Sequence, residues 1–484
     1  MAKQNNQVKK SLLKMFRKAF SDLADCEVID VKASYRLPLK KVKVNIKEHP
    51  FQLNLHPDGK TLYLHPEWRL DERAQEPEQC DYIIFDPERY FDRVSGFYRL
   101  HDGDKITLGG KDSEQRDFLG ISADTPARKL SISNYEGELI FKSHVDNPQS
   151  CIAPLLKDKK VNLVINRRQK KLKQLEEIFH TPIEALGSKA ALELINKVNA
   201  LLENEPYRAA DSNGRPGSVL RLQDDIPAII LGDLHAKPDN LLTVLSQNGY
   251  LDSLENKQAY LIIIGDAVHP EGNEPLEKMY SSMLIMDLIF QLKLRFPEQV
   301  FYLRGNHDSF SEEISKGGIP QGLLWEKKLV RARGEVYRDA MQTFYERIPH
   351  LAYCKHFITC HAAAPTSSVS EEQLINLGQD PKLLCQIINN RLQRPNRPGG
   401  YTKGDVKRLR KTLGTAPDTP FIVGHTPLSN DDTLWLDVFD ISNHHIIYSS
   451  DSSWVGIFAQ VGGQIYPFRY PVEPIVSIIN STSN

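Results

Sequence analysis

The chain has 484 residues, 40% hydrophobic and 25% charged, with a formal net charge of −1. At roughly 100–200 residues per domain, that length implies two or three folded units, and the ordinary soluble composition excludes disordered and fibrous classes. The near-neutral balance gives no global basic field for nucleic acid, and six scattered cysteines form neither a zinc ribbon nor a disulfide framework.

In chain order, residues 1–26 include "VKKSLLKMFRKAFSDL", which puts Leu12, Phe16 and Leu23 on one stripe opposite lysines and arginines. That spacing predicts an amphipathic helix. No apolar run reaches the roughly 18 residues of a transmembrane segment, and nothing in the opening stretch reads as a cleavable signal peptide. The expectation is a soluble, cytoplasmic protein in a reducing compartment. Residues 27–165 alternate in short runs such as "FQLNLHPDGKTLYLHP" and "LSISNYEGELIF", with turn residues at Pro57-Asp58-Gly59 and Glu136-Gly137, and read as a β-rich module. Residues 166–208 carry leucines and isoleucines at helical spacing, broken at Thr181-Pro182. Thr181 with Glu184 makes a capping box behind a proline at the first helical position, so a helical connector of two helices is expected. Residues 209–224, opening "AADSNGRPGS", have the composition of a linker.

From 225 to 475 continuous apolar runs alternate with helical stretches, the pattern of an α/β domain or a β-sandwich with helices. Five of these runs end in groups able to bind metal: "AIILGDLHA" with Asp233 and His235, "LIIIGDAVH" with Asp266, "FYLRGNHD" with Asn306, His307 and Asp308, "FITCHAAAP" with His361, and "FIVGHTP" with His425. Strands aimed into one crevice bring their C-terminal ends together, and Gly232, Gly265, Gly305 and Gly424, just before or near four of these groups, let the chain turn sharply. Carboxylate, amide and imidazole donors suit manganese, iron or zinc. Two such ions about 3.5–4 Å apart need a shared anion with two oxygens, and Asp266 is the natural bridge. One Asp after a strand is usually a turn residue or a helix cap; five such ends in this order are not independent turns.

The ordered set resembles the calcineurin-like metallophosphoesterases, and within them the phosphoprotein phosphatase (PPP) family, over residues 225–470. "YRDAMQTFYERIPHLAYCKHFITCHAAAP" and "GGYTKGDVKRLRKTLG" are similar to that family's segments before its last two ligand histidines. The resemblance implies a metallophosphoesterase β-sandwich flanked by helices and a phosphoprotein substrate. It implies two divalent metal ions, with Asp233, His235 and Asp266 on one and Asp266, Asn306, His361 and His425 on the other. It further implies hydrolysis of phosphomonoesters by a metal-bound hydroxide, with His307 as general acid and Asp308 as its neighbour in the catalytic set. Arg304 becomes a phosphate or structural partner. The sequence departs from the family pattern after Asp266: the family's acid-orienting Asp falls on His269 and its phosphate-clamping Arg on Pro270, which has no donor. Aligning back from Gly404 puts Arg397 at a second phosphate-binding arginine.

A second resemblance covers the β-rich module. Its succession of turns and strands is similar to a degenerate forkhead-associated (FHA) domain, with Lys111 at the usual arginine, Ala127-Arg128 in place of Ser-Arg and no Asn-Gly after Asn147. That implies a phosphopeptide or protein contact through the N-terminal module, against the alternative of a generic β-module. Cys385 and Arg391 also meet the Cys-x5-Arg spacing of cysteine-dependent phosphatases, although "KLLCQIINNRL" reads as a helix rather than a phosphate loop. The open alternatives are a nucleotide or diadenosine-polyphosphate hydrolase, which shares the motif order, and a phosphoprotein-binding pseudophosphatase scaffold. "GHTP" and the irregular loop are also similar to phosphatases that bacteria deliver into a host cytosol.

Overall fold

The structure is a computed structural model that describes residues 26–45, 50–55, 59–66, 81–90, 93–110, 116–122, 124–126, 129–145, 150–155, 163–271, 278–316, 318–394, 398–430 and 432–482. The helix expected over 1–26 lies outside these residues except for Cys26, as do Lys111, Ala127, Arg128, Asn147 and Arg397. No helix among the described residues is long and apolar enough to cross a membrane. The chain divides into two compact units, one ending at Arg167 and one beginning at Arg168.

The first unit is two sheets over one core. The five-stranded sheet has the order β1-β3-β10-β9-β8 and the six-stranded sheet β2-β11-β4-β5-β6-β7. In these, β1 is Glu27–Asp30, β2 Tyr35–Arg36, β3 Val42–Asn45, β4 Phe51–Leu55, β5 Lys60–Pro66, β6 Tyr82–Phe85, β7 Phe97–Leu100, β8 Lys105–Leu108, β9 Leu130–Tyr135, β10 Glu138–Ser143 and β11 Cys151–Pro154. Alternation decides which face is buried: in β4, Phe51, Leu53 and Leu55 are buried while Gln52 and Asn54 are half-exposed. Phe51 of the six-stranded sheet meets Phe141 of the five-stranded one edge-on at 6.3 Å, so both sheets share the apolar cluster that contains them. Glu136 and Gly137 join β9 to β10 with φ of 51° and 79°. A two-residue hairpin turn with both central residues left-handed matches the twist of its strands.

Helix α1 (Leu163–Phe179) runs in sequence from the end of the first unit into the second, and α2 (Ser188–Glu203) follows. The α2 helix starts six residues later than the Thr181 capping signal predicts. Tertiary acceptors take the amides of the expected first turn: Ile183 N–H donates to Asn480 Oδ1 at 2.7 Å and Leu186 N–H to Asp287 Oδ2 at 2.9 Å. The stretch read as a linker is also structured. Strands β12 (Arg208–Ala210) and β13 (Pro216–Arg221) form a hairpin around Asp211, whose Oδ1 accepts from the N–H groups of Asn213 and Arg215. Its Asp-Ser-Asn-Gly composition marks a turn rather than a tether.

Two sheets form the body of this unit. The seven-stranded sheet runs β12-β13-β19-β20-β21-β23-β22, with β19 at Leu351–Cys354, β20 Phe357–Cys360, β21 Phe421–Val423, β22 Leu434–Trp435 and β23 His444–Ile447. The five-stranded sheet runs β16-β15-β14-β24-β25, with β14 at Ala228–Leu231, β15 Tyr260–Ile263, β16 Val300–Tyr302, β24 Trp454–Val461 and β25 Gln464–Pro471. A two-stranded ribbon, β17 (Ser315–Lys316) and β18 (Ile319–Pro320), lies apart from both. One apolar cluster joins Leu220, Phe357 and Ile422 of the first sheet to Ile230, Ile262 and Phe301 of the second, so the sheets pack face to face.

Helices cover the outer faces. Over the seven-stranded sheet lie α8 (Glu371–Ile375), α9 (Pro381–Asn389) and α10 (Lys403–Thr412), through Leu374, Ile387 and Leu409. On the other side α3 (Pro238–Leu245) packs on β24 and β25, and α5 (Tyr280–Arg295) on β16; α4 (Tyr250–Glu255) follows α3. Helices α6 (Gln321–Arg333) and α7 (Glu335–Arg347) complete a group with α2 and α5, and α11 (Ile475–Thr482) closes against α3. The result is the expected helix-flanked β-sandwich.

Candidate metal centre and active site

Strands β14, β15 and β16 are parallel neighbours, as are β20 and β21. Each ends just before one of the five polar motifs, so strand direction alone puts all five on one edge of the sandwich. The chain turns sharply there: His235, Asp266, His269 and His425 have φ of 39°, 52°, 69° and 64°. Left-handed backbone at non-glycine residues is strained and persists where its surroundings hold it. Gly265, at φ 97°, and Gly305 supply the space, since a Cβ on Gly265 would stand 2.6 Å from Gly305 Cα.

Asp233 and Asp266 are each only 1% exposed. Ligating atoms of Asp233, His235 and Asp266 lie within 4.8 Å of one another, and so do those of Asp266, His361 and His425. Asp266 belongs to both groups. His361 Nδ1 bonds the Ile264 carbonyl at 2.8 Å, which turns its Nε2 to Asn306 Oδ1 (3.0 Å), Asp266 Oδ2 (3.2 Å) and His425 Nδ1 (3.3 Å). The His425 N–H donates to both Asp233 oxygens at 3.1 Å.

The electrostatics fit a site built for cations. Burial, with Asp266 beside it, pushes the Asp233 carboxyl up to about 8 against the pull of His361. Burial acts the same way on Asp266, but the His361, His307 and His235 imidazoles together hold it well below the usual carboxylate range. Burial lowers His361, yet the two carboxylates win and raise it to about 9. His425, with burial and His361 against it, falls well below the ordinary histidine value. Two buried carboxylates side by side are costly unless cations compensate them. The oxygen and nitrogen donors converging here fit two divalent ions sharing Asp266.

The remaining expected residues fall into different places. The His307 N–H donates to Asp266 Oδ1 at 2.7 Å, and its ring reaches back so that Nε2 is 4.0 Å from Asp266 Oδ2. His307 Nδ1 meets His269 Nδ1 at 2.8 Å. His269 is 1% exposed, its N–H bonded to Ser282 Oγ, and burial with the neighbouring imidazoles drives its pKa well below the ordinary value. The Asp308 carboxylate accepts from Tyr302 OH (2.7 Å), Gly305 N–H (2.7 Å) and Asp266 N–H (3.2 Å). Those bonds make it the brace under the Asp266 turn rather than a companion to the His307 ring. Arg304 is half-buried, and burial lowers its pKa while the nearby Asp308 charge opposes that shift.

Sequence reasoning missed another strand end. β23 is parallel to β21, so "HHIIYSSD" also empties onto the site edge, and that apolar run before polar residues was the available signal. Tyr448 packs its ring 5.6 Å from His235, and its OH donates to Glu271 Oε2 at 2.9 Å. The Ser449 N–H donates to the Asp233 carbonyl, and Ser449 Oγ accepts from Gly232 N–H. Opposite, Arg391 Nη1 donates to Thr426 Oγ1 at 3.3 Å, beside His425. Cys385 lies inside helix α9, as its apolar spacing predicts, which removes the phosphate-loop reading of Cys-x5-Arg.

Residues 226–451 match the family model for calcineurin-like phosphoesterases. They form a calcineurin-like phosphoesterase domain. The chain is 32% identical over 92 residues to the Candida albicans serine/threonine-protein phosphatase PP2A-like PPG1, a segment covering 19% of this chain and 18% of that protein. It is 30% identical over 87 residues to the Caenorhabditis elegans serine/threonine-protein phosphatase PP1-delta, covering 18% of this chain and 24% of the relative. The matches thus span a quarter or less of either relative's length. Among solved structures, a Saccharomyces cerevisiae protein serine/threonine phosphatase with similarity to human phosphatase PP5 is similar with a TM-score of 0.44 and 13% identity, over 59% of this chain and 90% of that one. The phosphoesterase domain begins two residues before β14 and ends at Asp451, so it contains all six candidate ligands.

Proposed function

We propose that the phosphoesterase domain is a metal-dependent phosphoprotein phosphatase that hydrolyses phosphomonoesters, with Asp233, His235 and Asp266 on one ion and Asp266, Asn306, His361 and His425 on the other. The observation that carries this reading is Asp266, a buried carboxylate common to two donor groups. When bound, two divalent ions supply a water of lowered pKa and neutralise the phosphoryl oxygens. Manganese suits the mixed carboxylate, amide and imidazole set, and iron or zinc can replace it.

The chain's own groups do the rest. Asp308 and the close approach of Gly265 and Gly305 fix the Asp266 turn. His307, held by its backbone N–H on Asp266, faces the shared carboxylate with Nε2 and gives its proton to the leaving oxygen. Pro270 has no donor to offer phosphate; Arg397, at the place of the family's second phosphate-binding arginine, carries a planar guanidinium that can bind two oxygens at once. Similarity to two serine/threonine-protein phosphatases supports a phosphoprotein substrate. Stripping the purified chain with a chelator and restoring manganese tests the reading on p-nitrophenyl phosphate and on phosphoserine, phosphothreonine and phosphotyrosine peptides. Phosphate release that vanishes and returns with the metal is expected. Bound metal without turnover on any of these esters would refute it.

A further inference from the structure

We propose that His269 is a positioning residue for the acid: its neutral imidazole accepts a hydrogen bond from His307 Nδ1–H and so holds His307 Nε2–H toward the leaving group. The inference rests on the phosphatase reading above. Its basis is the 2.8 Å contact between the two Nδ1 atoms, with the rings 5.0 Å apart and inclined at 60°.

Two imidazole nitrogens at that distance share one proton, so one ring donates and the other accepts. Only one direction serves acid catalysis. His307 must carry protons on both nitrogens to donate from Nε2, so its Nδ1 is the donor and His269 Nδ1 presents the lone pair. Two imidazolium rings could not meet at 2.8 Å without strong repulsion, so His269 stays neutral with its own proton on Nε2. Burial at 1% exposure confines its ring, and the bond from its backbone N–H to Ser282 Oγ holds the loop that carries it. In the proton transfer, the His307 Nε2–H bond breaks, an O–H bond forms on the leaving oxygen, and His307 goes from cation to neutral ring. The Nδ1–H···Nδ1 bond is the same before and after. The acid keeps its orientation through the cycle, and its Nε2 is left with the lone pair that accepts the next proton from water.

A positioned acid matters most when the leaving oxygen is a poor leaving group, and this separates positioning from a structural role. The test compares aryl phosphates from dinitrophenyl to phenyl in wild-type protein and in His269→Leu, His269→Asn and His307→Ala variants, with folding checked by circular dichroism. His269→Leu should lower turnover of phenyl phosphate by about 10²-fold or more, the usual contribution of a general acid, and that of dinitrophenyl phosphate by less than about threefold. Asn presents its Oδ1 near the former Nδ1 and should recover most of the loss. In the His307→Ala background His269→Leu should add less than about twofold, since residues acting as one unit are not additive. An equal loss across the series, an Asn variant no better than Leu, or additive losses would overturn the proposal. If the Leu variant does not fold, nitrogen-15 spectra of histidine-labelled wild type decide: a coupling across the Nδ1–Nδ1 bond is expected, and its absence overturns the assignment. A wild type with no metal-dependent release defeats the phosphatase reading and this role with it. An active wild type with a flat leaving-group response in His269→Leu defeats only the role of His269.

Discussion

Replacing Gly305 by alanine perturbs the site through one methyl group. A Cβ there would stand 2.7 Å from Asp266 N and 2.8 Å from Asp266 Cγ, and closer still to Oδ1, whereas ordinary contact begins near 3.4 Å. The carboxyl carbon must therefore retreat by 0.6 Å (3.4 − 2.8) and the backbone nitrogen by 0.7 Å (3.4 − 2.7). Residue 305 is itself closely approached by Gly265, on which a Cβ would stand 2.6 Å from Gly305 Cα. The Asp266 carboxylate also accepts the His307 N–H at 2.7 Å, so the movement displaces the shared ligand and the acid together. Overpacking of this kind costs about 1–3 kcal/mol, and a misplacement near 1 Å at reacting groups costs about 10²-fold in rate. We expect Gly305→Ala to fold, to melt roughly 2–10 °C lower, and to lose about 10²-fold in kcat with aryl phosphate and manganese. A variant with unchanged metal content and kcat within about threefold of wild type would refute the argument that this glycine sets the position of Asp266.

Three further outcomes are expected. Asp287 is the buried acceptor for the Arg333 guanidinium and for Leu186 N–H, so Asp287→Ala should cost about 3–5 kcal/mol in urea unfolding, and a shift under ~1 kcal/mol would contradict the pairing. Burial pushes His444 and His445 down to about 4, from 6.5. The unfolded chain therefore binds more protons between these values, and stability is complete above pH 6.5 and drains toward pH 4 by up to roughly 3 kcal/mol for each residue. Melts that do not move between pH 7 and 4.5 would contradict this. Cys385→Ser, a change on the exposed side of α9, should leave phosphate release within about twofold of wild type; abolished release would revive cysteine chemistry.

Much of the phosphoesterase half was legible because each candidate ligand sits where an apolar run stops, and strand direction then carries the ends to one edge. "IIIGD" singles out Asp266 as the candidate bridge because a carboxylate has two oxygens to share, and the structure puts it in two donor groups. Other features depend on tertiary partners that local pattern does not encode. The α2 start was misread because Asn480 and Asp287, nearly 300 and 100 positions away, take the amides of the Thr181 turn. The 209–224 stretch was misread because loop composition marks a hairpin turn and a tether alike. Asp308 looked like a catalytic neighbour by adjacency, but a one-residue step turns its carboxylate toward Tyr302 and the backbone of Asp266. Tyr448 and Glu271 meet only through the fold. In the first unit the alternation in "FQLNL" and the Glu136-Gly137 turn were legible, since both are local.

On the function proposed above, Asp266 joins two metal ions into one hydrolytic site. The most direct measurement of this is metal content per chain together with phosphate release, for wild type and Asp266→Asn after metal stripping and reloading with manganese. Two ions and metal-dependent turnover are expected for wild type, and for Asp266→Asn a folded protein with fewer than two ions and turnover lower by about 10³-fold or more. An Asp266→Asn protein that keeps both ions and turns over within about tenfold of wild type would contradict it.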